Sequence, residues 1–280
     1  MGKARIPGMD APLLGDSVTR LTPAVAGRVV VCGSHGGLYA AWLAAKLRPA
    51  AIVFHDAGIG RNSAGIAGVA WLDGLGIAAC AVDFRSARIG DAADILASGK
   101  VSSANELAAR TGCLPGHSCA EVVRCLQALV EEPQVPRAEE IPGIGESRQR
   151  IASTGHRPVW ALDSATLAIP EDRRSVLVTG SHGGLLGGKR GDGVLPADVF
   201  AAFFNDAGGG KDDAGFARLE ALEDLEVAAA TVSCHSARIG DGRSTYETGV
   251  LSRVNALAAR LELREGMSAR EAVARLVGLG

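Results

Sequence analysis

Two short stretches of this sequence set a serine and a histidine among glycines. They are Gly33-Ser34-His35-Gly36-Gly37 and Gly180-Ser181-His182-Gly183-Gly184. Histidine titrates near neutral pH, so His35 and His182 are candidate proton carriers or metal ligands. Glycine N–H groups can converge on an anion, which makes Gly36, Gly37, Gly183 and Gly184 candidates for holding substrate or an oxyanion. Small-x-Ser-x-small on a strand-to-helix turn is a loosened nucleophile elbow, with Ser34 and Ser181 as optional nucleophiles. The competing reading is a tight turn whose histidine bonds the backbone and whose serine lines the loop.

Three further motifs carry groups of the same kind. Asp56-Ala57-Gly58 and Asp206-Ala207-Gly208 end apolar runs. A carboxylate there would hold a histidine tautomer, act as a base or bind a metal; the structural alternative is an Asx-turn. Ser86-Ala87-Arg88-Ile89-Gly90-Asp91 recurs unchanged as Ser236-Ala237-Arg238-Ile239-Gly240-Asp241. Arg88 and Arg238 suit bidentate capture of a substrate carboxylate, unless Asp91 and Asp241 clamp them. Lys211, where the first motif set has Arg61, is a candidate substrate cation. His55 faces Asn205 in the comparison, and Asp83-Phe84-Arg85 faces Ser233-Cys234-His235. The Cys234-His235 pair is a poor nucleophile and base, because adjacent strand residues point to opposite faces.

The motifs recur at a fixed spacing. His35 and His182 are 147 residues apart, and Asp56 and Asp206 are 150 apart, as are Asp91 and Asp241. One three-residue insertion, near Gly187 to Leu195, accounts for the change. The chain therefore reads as two copies, 13–130 and 160–280, joined by a Pro-, Glu- and Arg-rich surface segment, 131–159.

Each copy must be built to present these loops. Near-continuous apolar runs at Arg28–Cys32, Ala51–Phe54 and Ile77–Phe84 suit strands covered on both faces, each followed by a Gly loop and a helix. The same holds for Ser175–Thr179, Val199–Phe204 and Val227–Val232. The expected class is α/β: duplicated βαβαβα units in one doubly wound, mostly parallel sheet, or in two facing lobes, with pseudo-two-fold symmetry. An extra strand is expected at Ser17–Leu21 or Ser164–Ile169. Ser102-x-x-Asn105 and Ser252-x-x-Asn255 are read as helix openings, and Ser118-x-x-Glu121 and Ser268-x-x-Glu271 as capping boxes.

Bulk properties narrow the function. The 280 residues have a net charge of −2 and only 4 % aromatics, so nucleic acid and anionic membranes are poor partners. Six cysteines without C-x-x-C spacing read as reduced thiols of a cytoplasmic protein. No apolar run reaches the roughly 18 residues of a membrane span. The first ten residues have no secretory apolar core, and Ile6 stands where a myristoylation signal needs Ser or Thr. An Ala- and Gly-rich surface suits a homodimer.

The expectation is an enzyme acting on a small anionic or amide-containing metabolite. Hydrolysis of a C–N bond is favoured over isomerase or lyase chemistry, at one composite site made by both copies. Catalysis is assigned to His35, His182, Asp56, Asp206, Ser34 and Ser181. The first alternative is a metal-dependent version, in which His35, His182, Asp56, Asp206, Asp91 and Asp241 hold one or two divalent ions. No H-x-H or H-x-x-x-H spacing favours it, and a cofactor-free enzyme stays open. The second alternative is a non-catalytic small-molecule binding protein.

Overall fold

In the computed structural model the described residues are 11–131, 141–151, 155–189 and 194–278. The N-terminal signal readings, part of the joining segment and much of the three-residue insertion lie outside them. Among the described residues, no helix is long and apolar enough to cross a membrane.

The chain forms two mostly parallel sheets interleaved with helices. The first has strands β1 (Leu13–Gly15), β2 (Val29–His35), β3 (Ala51–His55), β4 (Ala78–Val82) and β5 (Val101–Ala104), side by side in that order. The second has β6 (Arg148–Ile151), β7 (Val159–Leu162), β8 (Val176–His182), β9 (Ala201–Asn205), β10 (Ala228–Val232) and β11 (Leu251–Val254), again in sequence. The last strand of each sheet, and β6, run antiparallel to their neighbours.

Alternation places two apolar faces on each strand. In the first sheet Val30, Ile52, Phe54 and Ala79 pack under α1 (Leu38–Lys46) and α2 (Ala67–Asp73). Val31, Val53, Cys80 and Val82 face α3 (Ala92–Ser98), α4 (Glu106–Arg110) and α5 (Cys119–Leu126). The second sheet repeats this with α6 (Ala217–Glu223) on one face, and α7 (Gly242–Thr248), α8 (Ala256–Arg260) and α9 (Ala269–Gly278) on the other. Burial on both faces explains why the strands read as unbroken apolar runs.

Several expectations change. Of the one-sheet and two-lobe alternatives, two sheets form, and neither reverses its strand order, so no switch point lies within a sheet. The extra strands are β1 and β7. Residues 18–20 and 165–167 form 3-10 turns capped by Ser17 and Ser164. Residues 101–104 and 251–254 are strands, and Asn105 and Asn255 begin the following helices as N-caps. The joining segment is not only surface connection, because β6 lies within it and pairs with β7. Among the described residues after the second Ser-His motif there is no counterpart of α1, only a short 3-10 turn at Leu186–Gly188. The Ser118 capping box forms in full.

The Gly33 and Gly180 positions show why glycine is required at the bulge in β2 and β8. Gly33 accepts from the Gly90 N–H at 2.8 Å, and Gly180 from the Gly240 N–H at 2.7 Å. A Cβ at Gly180 would collide with the Asp241 backbone nitrogen. These bonds draw each Ser-Ala-Arg loop onto its own half's Ser-His loop.

The halves then lock reciprocally. Arg61 N–H donates to the Cys234 carbonyl at 2.8 Å, and Lys211 N–H to the Phe84 carbonyl at 3.0 Å. Ala57, Ile89, Ala207 and Ile239 make a small shared core. Gly58 and Gly208 have φ of +71° and +80°, and a Cβ on either would lie 3.2 Å from the other's Cα.

Candidate functional site

A cavity of about 280 Å3 opens between the halves. Ser34, His35 and Tyr39 line it from one side and Ser181, His182 and Arg218 from the other, with Glu146 from the joining segment. The bulges in β2 and β8 end at His35 and His182, which register against His55 and Asn205. Each ring reaches across the boundary. A Cβ on Gly240 would sit 3.5 Å from His35 Cε1, and one on Gly90 would sit 3.5 Å from His182 Cε1.

Hydrogen bonding fixes the chemistry of these rings. Gly37 N–H donates to His35 Nδ1 at 3.1 Å, and Gly184 N–H to His182 Nδ1 at 3.1 Å. Each neutral ring therefore carries its proton on Nε2, which makes no hydrogen bond among the described residues. Burial, then the nearby His55, lowers the His35 pKa to about 4. Burial, then Arg218, His35 and His55, holds His182 well below the usual range. At neutral pH both imidazoles are uncharged Nε2–H donors. In that form each ring can donate a hydrogen bond to an oxygen.

The glycine N–H groups are already committed. Gly36 and Gly183 donate to the His55 and Asn205 carbonyls, and Gly37 and Gly184 to the ring nitrogens. They are not free to hold an oxyanion in this arrangement. Ser34 Oγ accepts from the Val18 N–H at 2.9 Å and Ser181 Oγ from the Ala165 N–H at 2.8 Å. Neither hydroxyl is bonded to a histidine nitrogen, so the nucleophile–base pair of an elbow is not formed.

Asp56 and Asp206 do not line this cavity. Asp56 Oδ1 accepts from Gly58 N–H at 2.9 Å and Phe84 N–H at 3.0 Å. Asp206 Oδ1 accepts from Gly208 and Cys234 N–H, both at 2.9 Å. Both are Asx-turn residues that pin loops; burial pushes the Asp56 carboxyl up despite these donors. Arg238 pairs with Asp241 at 2.6 Å. Arg88 is shared by Asp91, Asp94 and Asp212. Asp91 and Asp241 also cap α3 and α7. Lys211 Nζ binds Asp94 at 2.6 Å and Ser98 at 2.9 Å, a strut between the halves.

The His55/Asn205 difference is conservative. His55 Nε2 bonds the Ala87 carbonyl at 3.0 Å and its Nδ1 accepts from Ala57. Asn205 Nδ2 donates to the Ala237 carbonyl at 3.2 Å and its Oδ1 accepts from Ala207. The amide reproduces the imidazole's donor and acceptor. No group of three or more His, Cys, Asp or Glu side chains that could hold a metal forms among the described residues. The carboxylates of the metal alternative are spent on backbone amides and arginines.

The cavity adds residues that the motifs did not reveal. Glu146 sits beside Tyr39 and Asp163, and burial pushes its carboxyl up. Burial, then the carboxylate of Glu146, pushes Tyr39 up to about 12. Arg218 lies on the buried face of α6. Its sequence signal was present: at the 150-residue spacing of the motifs it stands opposite Gly68. Glu146 has no counterpart and gave no signal. The chain matches no protein-family model, no curated protein and no solved structure.

Proposed function

We propose that this chain is an enzyme that hydrolyses a C–N bond in a small anionic, amide-containing metabolite at one composite site. In this reading 13–130 and 160–280 are copies of one unit related by a pseudo-two-fold axis near Gly58 and Gly208, and 131–159 joins them. The observation that carries the proposal is a pair of neutral imidazoles, one from each half, presenting unpartnered Nε2–H groups to the same cavity. Two such donors suit the developing negative charge on a carbonyl oxygen, and they need no proton transfer to do so. Glu146, with its raised carboxyl, is the group suited to proton movement. It takes a proton from the attacking water, oxygen bonds to the carbonyl carbon, and the proton passes to the nitrogen as the C–N bond breaks. Six free thiols suit a cytoplasmic setting.

The test is a turnover screen of small carboxylates bearing linear or cyclic amides, with two substitutions at His182. Asn205 already stands in for an imidazole donor elsewhere in the chain, so His182→Asn should retain a substantial fraction of kcat. His182→Leu should lose roughly 10²–10³-fold, the usual effect of removing one oxyanion donor. Equal loss in both variants would make His182 a base and sink the donor reading. Turnover indifferent to both variants and to Glu146→Gln would remove the site altogether.

A further inference from the structure

Among the described residues, Arg218 is a buried cation in the cavity without a carboxylate partner. It is 5 % exposed. Its NH2 donates to the Gly184 carbonyl at 3.0 Å, and the guanidinium lies 4.8 Å from the Phe204 ring centroid. Its Nε has no acceptor, and among the described residues no carboxylate forms an ion pair with it. Two buried carboxylates do have ion-pair partners: Asp94 meets Lys211, and Asp172 meets Arg148, both at 2.6 Å. A buried charge without a partner weakens a fold, so Arg218 is not explained by stability.

The corresponding residue in the first half is Gly68, where a Cβ would collide with Ala41 of α1. Among the described residues the second half has no such helix, only the turn at Leu186–Gly188. That leaves room for an arginine that the first half cannot accommodate. The cavity is therefore asymmetric: its buried arginine belongs to the second half, while Arg20 of the first half lines it from an exposed position.

We propose that Arg218 anchors the carboxylate of the substrate, so that the metabolite is a small monocarboxylate carrying an amide. This rests on the composite-site reading above. The planar guanidinium suits a carboxylate or a phosphate. Glu146 and Asp163 line the same cavity, and their charges oppose a dianion, which favours the monoanion. The cavity of about 280 Å3 is near the lower end of the range of small-molecule pockets.

Calorimetric titration of the full chain with malonamate, acetate and inorganic phosphate tests this, using wild type, Arg218→Met and Arg218→Lys. Malonamate should bind wild type more tightly than phosphate does. Arg218→Met should weaken it at least thirtyfold and Arg218→Lys less, while Arg218→Met melts no lower than wild type without ligand. Absence of malonamate binding to wild type overturns the proposal. So does binding by Arg218→Met within threefold of wild type, a lower melting point for that variant, or tighter binding of phosphate. If Arg218→Met does not fold, unchanged malonamate affinity in Arg218→Lys overturns it. An amide hydrolysed by Arg218→Met at unchanged KM removes the anchor and leaves the hydrolase. Arg218-dependent malonamate binding, with no amide hydrolysed by wild type, removes the hydrolase and leaves the anchor.

Discussion

His55→Asn separates two roles of a buried histidine, because the molecule already contains the answer at Asn205. Both side chains bond a Ser-Ala-Arg-loop carbonyl and accept an Asp-Ala-Gly-loop N–H. The variant should therefore keep its stability at pH 7 to within about 1 kcal/mol, as a swap that preserves both hydrogen bonds. Its behaviour in acid should differ. Burial lowers the His55 pKa from 6.5 to about 4. The ring is neutral in the folded state, and the unfolded chain binds the proton more strongly. Its contribution is therefore complete above about pH 6.5 and declines as pH falls toward 4. At pH 5 the difference in proton affinity amounts to about 2 kcal/mol, from 1.36 kcal/mol per pKa unit. Urea unfolding of both proteins at pH 7 and pH 5 measures it. Wild type should lose about 2 kcal/mol more than the variant over that interval. Equal losses would refute the buried neutral imidazole, and a large loss at pH 7 would refute the amide equivalence.

Lys211→Met should destabilise by about 2 kcal/mol, because Asp94 keeps Arg88 but loses its closest buried partner; chemical denaturation reads this. Burial works against the Asp94 charge, yet Lys211 and Arg88 outweigh it and hold that carboxyl low. The Lys211→Met loss should therefore shrink as pH falls below the usual carboxylate range. Gly208→Ala should cost more than about 2 kcal/mol, since φ is +80° and the new Cβ would sit 2.8 Å from the Phe84 ring; a melting curve checks it. Glu146→Gln should abolish most turnover on any amide that the screen finds, while leaving malonamate affinity within a fewfold of wild type.

The sheet strands were legible because burial on both faces leaves unbroken apolar runs between glycines. The antiparallel strands at Val101–Ala104 and Leu251–Val254 were not, because their half-buried Ser and Arg residues resemble helix starts. The repeated Ser-His motifs did mark the cavity. Repetition alone could not separate a catalytic Asp from one pinning two loops, and Asp56 and Asp206 each accept backbone N–H groups from two loops. The same holds for Arg88 and Arg238, whose partners arrive from within their own motif and, for Arg88, from the other half. The most informative cavity residues, Arg218 and Glu146, are those that break the repeat. They belong to one half or to the joining segment, so a search for matching residues passes over them.

The central claim is that His35 and His182 present neutral Nε2–H groups to one ligand. Nitrogen-15 NMR of the histidine rings at pH 7, with and without malonamate, tests it most directly. The account predicts that both rings are neutral Nε2–H tautomers and that both shift together as a single equivalent binds. Charged rings, Nδ1–H tautomers, or a ligand that moves neither ring would contradict it.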